Sequence, residues 1–155
     1  MATMVGTQKS FTQAIKELVE LDYDALGAYE SAINNLENPE YKKKFEEFKL
    51  DHQRHITELS AFLSRCNETA PSGPDNMKKV LVKGKVELAS LFGDQNILSA
   101  MLSNEEDTNT AYERINARIG ESADKEIAKI IADGLADERK HRDWIQSNIS
   151  QQEKQ

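Results

Sequence analysis

Apolar side chains recur along this chain at steps of three and four residues, the spacing that places them on one face of an α-helix. Four such stripes predict helices over about residues 10–36, 39–65, 86–119 and 122–149. The links within the first and last pairs are short, so each pair is expected to form an antiparallel hairpin. Residues 66–92 hold two of the three prolines and predict a long crossover between the hairpins. The pattern predicts an all-α fold, with one four-helix-bundle domain over residues 1–155.

Capping residues mark the expected helix ends. Ser10 is a suitable N-cap for the first helix, and Asn38, followed by Pro39, is suitable for the second. Gly120 is expected to end the third helix, and Ser122 to begin the fourth.

The two halves of the chain carry a weak internal repeat. Residues 22–31 match residues 105–114 at an offset of 83, with an alanine and a tyrosine among the identical positions. The segment DHQRH, residues 51–55, matches DERKH, residues 137–141, at an offset of 86. The repeat predicts that a pseudo-twofold axis relates the two hairpins.

Each stripe also carries polar side chains near its middle, where a bundle core is normally apolar. Burial of an unpaired charge is costly, so these residues require partners. A spacing of three places the two polar residues of the second helix, and likewise those of the fourth, on the same helix face. All three histidines of the chain belong to this set, which comprises Asp22, His52, His55, Glu105, Glu138 and His141.

A bound metal is the simplest explanation for three carboxylates and three imidazoles that converge in one core. Imidazole and carboxylate ligands suit iron, manganese or zinc, and we predict one or two such ions per chain. One alternative is a buried hydrogen-bonded network without metal. Another is an error in register that places one or two of the six residues on the rim.

Composition narrows the classes of function. Twenty Lys and Arg against 27 Asp and Glu give a formal charge of −7, which disfavours non-specific binding to nucleic acid. No apolar run approaches the roughly 18 residues of a membrane span, and the start of the chain does not resemble a secretory signal. The single cysteine, Cys66, excludes an internal disulfide. We therefore expect a cytoplasmic protein whose partners are metal ions, and homo-oligomers are an open alternative.

The polar set resembles that of the ferritin-like di-metal carboxylate proteins of the rubrerythrin type. The resemblance covers about residues 11–150 and is closest to small bacterial ferritin-like bundles found among stress proteins. It implies a non-haem iron or manganese site in the bundle core, with tyrosines that bond the carboxylates. The residues that carry it are Asp22 with Tyr29, Glu105 with Tyr112, and the Glu-x-x-His motif Glu138 with His141.

Two departures separate the chain from that family. Asp22 is one methylene shorter than the usual glutamate, and His52 stands where the family has a bridging glutamate. Only three carboxylates then remain, so the four positive charges of two divalent ions would not be balanced. Charge counting favours a mononuclear centre, or an asymmetric pair bridged by Glu138 and solvent.

Asp51 and Asp137 admit two interpretations. Each lies four residues before a histidine of the set, so it could orient the imidazole of a metal ligand. The interpretation that we favour is a solvent-facing charge paired with Arg54 or Lys140.

Three functions follow, in order of preference. The first is a ferritin-like metal-binding protein with a redox or stress-related role, which would be an oxidoreductase if it is an enzyme. The second is a non-catalytic bundle that acts through oligomerisation or a protein partner, and His52 favours it. Iron storage in a cage ranks last, because nothing in the sequence shows the interfaces that a cage needs.

Overall fold

Four α-helices make up most of the described chain. The computed structural model describes residues 3–73 and 91–153, and within these ranges no residue adopts a strand. None of the helices there is both long and apolar enough to cross a bilayer. The all-α four-helix bundle is thereby confirmed. Its helices are α1 (Phe11–Asn35), α2 (Pro39–Arg65), α3 (Asp94–Asn116) and α4 (Lys125–Glu153), with a 3₁₀ helix at Ile119–Glu121.

The first two helices begin at the caps that the sequence predicts. Ser10 Oγ accepts a hydrogen bond from the backbone N–H three residues later, at 3.2 Å. Asn38 Oδ1 accepts one from the N–H two residues later, at 2.8 Å, and Pro39 follows as the first helical residue. The carboxylate of Asp94 in turn accepts from the backbone amides of Glu37 and Asn38, at 2.8 and 2.9 Å. The start of α3 is therefore tied to the turn between α1 and α2.

The later helices differ from the expected bounds at all four of their ends. α3 begins at residue 94 rather than near 86, because Gly93 has φ +89°, in the left-handed region that interrupts a helix. Gly120 lies inside the 3₁₀ helix and does not cap α3. Ser122 does not cap α4, because Asp124 Oδ1 accepts from the backbone amides of residues 126 and 127, at 2.9 and 3.3 Å. At its other end α4 extends past the expected residue 149.

Contacts between α1 and α3, and between α2 and α4, join the two hairpins. α1 and α3 are antiparallel, because Tyr29 contacts Glu105 whereas Tyr112 contacts Asp22. Since α2 is also antiparallel to α1, α2 and α3 run in the same direction, and the connection between them joins opposite ends of the bundle. This agrees with the predicted crossover, although its residues 74–90 lie outside the described ranges.

The core has one end that is mostly aliphatic, which we call the aliphatic end, and one that is rich in aromatic rings, which we call the aromatic end. A layer of polar residues, to which every helix contributes, lies between them. The aliphatic end is built from residues that include Phe11, Ile15, Leu18, Leu59, Leu63, Ile115, Ile127 and Ile131. The aromatic end includes Tyr29, Tyr41, Phe45, Phe48, Ile97, Met101 and Ile145. We call the layer between them the polar band, and it consists of Asp22, His52, His55, Glu105, Thr108, Asn109, Glu138 and His141.

Candidate metal centre

The structure brings together all six polar residues that the sequence singles out. Every one of their side chains is at least 97% buried, so none lies on the rim of the bundle. The set draws on all four helices: Asp22 from α1, His52 and His55 from α2, Glu105 from α3, and Glu138 and His141 from α4.

One set of donor atoms, the first ligand group, gathers around Asp22 and comprises Asp22, His52, His55 and Glu138. Asp22 Oδ1 lies 2.8 Å from His52 Nδ1 and 3.2 Å from His55 Nδ1. Glu138 Oε1 lies 3.5 and 3.4 Å from the same two nitrogens. Ligands on bonds of about 2.0–2.1 Å around a tetrahedral ion lie about 3.3–3.4 Å apart. Three of these four separations are near that value, the fourth is the length of a hydrogen bond, and all four donor atoms lie within 4.8 Å of one another.

A second ligand group adjoins the first and comprises His52, Glu105, Glu138 and His141. Glu105 Oε1 lies 3.6 Å from both His52 Nε2 and His141 Nδ1, and Glu138 Oε2 lies 3.6 Å from His141 Nδ1. The two groups share His52 and Glu138. Each shared residue presents one atom to the first group, Nδ1 or Oε1, and its other atom to the second.

Two tyrosines donate hydrogen bonds to Asp22 and Glu105. We call these two residues the outer carboxylates, because each belongs to only one ligand group. Tyr29 of α1 donates to Glu105 Oε1 at 2.5 Å, and Tyr112 of α3 donates to Asp22 Oδ2 at 2.7 Å. Burial and the neighbouring carboxylates raise the pKa of both phenols well above 10. These bonds confirm the expectation that the tyrosine hydroxyls bond the carboxylates. Their symmetry agrees with the pseudo-twofold axis expected from the repeat.

Asp51 and Asp137 each bond a histidine, which the ion-pair interpretation alone does not account for. His141 Nε2 lies 2.8 Å from Asp51 Oδ2, and His55 Nε2 lies 2.9 Å from Asp137 Oδ2. Arg54 also pairs with both carboxylates. The favoured ion pairs with Arg54 and Lys140 are therefore present, and each aspartate in addition bonds the histidine of the opposite helix. Such a bond leaves Nδ1 of each imidazole facing the polar band.

Thr108 and Asn109 complete the polar band, and sequence analysis did not single them out as site residues. Thr108 Oγ1 lies 2.9 Å from Glu138 Oε2 and 3.1 Å from Glu105 Oε2. Asn109 Nδ2 donates to the backbone oxygens of Glu105 and Glu138, at 2.7 and 3.0 Å. The repeat offers a signal for Thr108, because this hydroxyl residue stands where the first half has Ala25. No comparable signal marks Asn109.

The outer carboxylates are held in their charged form. Burial opposes ionisation of Asp22, but hydrogen bonds from His52 and His55 lower the pKa of Asp22 below its usual value. Burial likewise opposes ionisation of Glu105, but the imidazoles of His141 and His52, each 3.6 Å from Oε1, hold the pKa of Glu105 well below 4.5. Both side chains are therefore anions at neutral pH.

The histidines of the metal-free site hold protons more tightly than free imidazole. Burial opposes the charge of His52, yet the charge of Glu138 and the bond to Asp22 raise the pKa of His52 to about 9. Burial also opposes the charge of His141, but the bond to Asp51 and the nearby carboxylates of Glu105 and Glu138 raise the pKa of His141 to about 11. A metal ion would replace these protons, so protons and metal compete for the same nitrogens.

Besides Asn109 Oδ1, three buried atoms of the polar band have no hydrogen-bond partner among the described residues. They are His52 Nε2, Glu138 Oε1 and His141 Nδ1. Unpartnered buried polar atoms are rare because each one costs free energy. All three belong to the ligand groups, and an ion bound there would give each of them a partner. The residues present therefore fit a metal ion with nitrogen and oxygen ligands.

The chain was compared with known proteins by family and by individual sequence. A protein-family model described as "Domain of unknown function (DUF2383)" matches residues 10–118, which include α1, α2 and α3. No curated protein matches the chain.

Proposed function

The chain belongs to the DUF2383 family, whose description names no activity, and we propose that it is a metal-binding protein whose bundle core holds non-haem iron or manganese for a redox or stress-related role. The observation that carries the proposal is the polar band. It contains two ligand groups whose donor atoms lie within 4.8 Å of one another, and three buried atoms of those groups lack a hydrogen-bond partner in the described structure.

The donor set limits the class of ion. Each ligand group offers two imidazoles and two carboxylates, a combination that suits iron, manganese or zinc better than calcium or magnesium. One divalent ion in the first group would be neutralised by Asp22 and Glu138, with neutral His52 and His55. Charge therefore supports at least one ion per chain, while the choice among metals belongs to the test below.

The side chains around a bound ion would have different roles. Asp51 and Asp137 would hold His141 and His55 in the orientation that presents Nδ1 to the ion. The tyrosines would fix the outer carboxylates, and the two apolar ends of the core would exclude water. A bound iron or manganese ion would supply one-electron redox chemistry.

The proposal extends to the kind of bundle. Four helices with two antiparallel hairpins, a long crossover and carboxylate and histidine ligands in the core support a relationship to the ferritin-like proteins of the rubrerythrin type. The position of His52 supports a variant of that site rather than a symmetric one.

Metal content of matched variants tests the proposal. Protein stripped with chelator is reconstituted with iron(II) without oxygen, with manganese(II) or with zinc(II), and bound atoms per chain are measured. Glu138→Gln alters the one carboxylate that both ligand groups share, and it should weaken binding at least as much as the roughly 10–100-fold expected for loss of an outer-shell partner. Glu106→Gln makes the same change at an exposed carboxylate of α3 and should bind as wild type does.

Equal metal content in wild type and Glu138→Gln would contradict the proposal. Wild-type protein that stays folded and binds none of the three metals would instead favour the second function, a non-catalytic bundle that acts through oligomerisation or a partner. The buried ion pairs between histidines and carboxylates would then serve as structure alone.

A further inference from the structure

We propose that His52 bridges two metal ions, binding one through Nδ1 and the other through Nε2, so that the chain holds a histidine-bridged pair. This inference rests on the proposed function. It specifies the role of His52, the one residue at which the α2 motif His52-x-x-His55 departs from Glu-x-x-His.

The two ring nitrogens of His52 face different ligand groups. Nδ1 lies 2.8 Å from Asp22 Oδ1 and 3.5 Å from Glu138 Oε1. Nε2 lies on the other side of the ring, 3.6 Å from Glu105 Oε1, and has no hydrogen-bond partner in the described part of the chain. Each nitrogen has a single lone-pair direction in the ring plane. Complete ligation of both groups therefore requires both nitrogens.

The surrounding rings hold His52 in this orientation. Its imidazole lies 5.4 Å from the ring of Tyr29 and 5.2 Å from that of His141, measured between centroids. A third ring, His55, lies 5.5 Å away, and the His52 side chain is fully buried. Because the packed imidazole ring cannot turn freely, His52 must contact both ligand groups in this one orientation.

Glu138 supports the same arrangement from the opposite helix. The repeat offset of 86 makes it the counterpart of His52. Its Oε1 faces the first group and its Oε2 the second. The two residues that both ligand groups share are thus a pseudo-symmetric pair, and each has two donor atoms directed to different groups.

Charge counting favours a bridge that carries a negative charge. Asp22, Glu105 and Glu138 supply three negative charges against the four positive charges of two divalent ions. When both nitrogens of His52 bind metal, its remaining ring N–H proton leaves to solvent, and the electron pair of that bond becomes the second nitrogen–metal bond. The imidazolate so formed supplies the fourth negative charge. His52 would thereby replace both the bridge and the charge of the absent glutamate.

Zinc(II) is the probe of choice because it has no redox chemistry and accepts nitrogen and oxygen ligands. Full-length protein is stripped, loaded with excess zinc(II) and crystallised, and anomalous diffraction at the zinc edge locates the ions. Two peaks are expected, one bonded to Nδ1 and one to Nε2 of His52. They should lie farther apart than the roughly 3.5–4 Å typical of two-metal sites.

Two variants complete the test through zinc stoichiometry in solution. His52→Gln cannot carry the bridging charge and should retain one zinc at an excess that saturates wild type with two. His52→Glu restores a bridging carboxylate and should bind two, at a shorter separation. Should His52→Gln not fold, judged by circular dichroism, the wild-type map and His52→Glu decide alone.

The outcomes separate this inference from the proposed function. A single zinc in wild type, or two zinc ions of which His52 binds only one, would overturn the bridge and leave the metal-binding function intact. Two zinc ions bound undiminished by His52→Gln would overturn it as well. Wild-type protein that binds no zinc, iron or manganese would overturn both.

Discussion

Replacement of Gly134 by alanine probes the contact between α4 and Tyr112, whose hydroxyl donates a hydrogen bond to Asp22. A Cβ atom at residue 134 would lie 2.4 Å from Cε1 of Tyr112, and 3.1 and 3.2 Å from Cδ1 and Cζ. These are atoms of a rigid ring that is 99% buried and whose hydroxyl donates to Asp22 at 2.7 Å. The ring must move, and its hydrogen bond to the buried carboxylate is then lost or distorted.

The expected cost follows from three contributions. Alanine in place of glycine inside a helix favours folding by about 1 kcal/mol. Overpacking of a filled core costs about 1–3 kcal/mol. Loss of a hydrogen bond to a charged group costs about 1.5–3 kcal/mol. We therefore expect Gly134→Ala to lower the free energy of unfolding by about 1.5–5 kcal/mol.

Urea unfolding of the metal-free protein measures this change, provided that the dependence on denaturant stays the same in both proteins. Gly120→Ala is the matched control, because no atom lies within 4 Å of a Cβ built there, and it should change stability by less than about 0.5 kcal/mol. A Gly134→Ala protein as stable as wild type, or more stable, would refute the packing described here.

Two further predictions concern the protonated histidines and the two aspartates that bond histidines, Asp51 and Asp137. The folded-state pKa values of His52 and His141, about 9 and about 11, lie above the 6.5 of free histidine. Their contribution to metal-free stability is therefore complete below pH 6.5 and is lost as pH rises through about 9 for His52 and about 11 for His141, so the urea midpoint should fall between pH 6.5 and 9. A midpoint that is constant or rises over that range would contradict the ion pairs. Asp51→Asn and Asp137→Asn should each weaken zinc(II) affinity about 10–100-fold, whereas Asp143→Asn, at an exposed position, should not. Unchanged affinity in the first two, measured by competition with a chelating dye, would show that orienting the histidines is not their role.

The sequence was sufficient for the architecture and for the six principal polar residues. Helical stripes identify which face of each helix is buried, and a charged residue within a stripe must then be buried with partners. Asp22 and Glu138 were found in this way although they are 30 or more residues from their partners His52 and Thr108.

Relations between helices were harder to predict. Periodicity assigns Asp51 to a face of α2, but it does not show that the nearest imidazole is His141 of α4 rather than His55 on its own helix. The position of one helix along another sets that neighbour, and core packing determines it. The cap of α4 was missed for a local reason, since Ser122 and Asp124 are both good caps and only two residues apart.

The central claim is that the polar band holds metal, and elemental analysis tests it most directly. Protein purified without a metal-affinity tag is analysed for atoms per chain, before and after reconstitution with iron(II), manganese(II) and zinc(II). We predict at least one bound ion as purified or after reconstitution, and two with zinc(II). Wild-type protein that is folded yet retains none of the three metals would contradict the account.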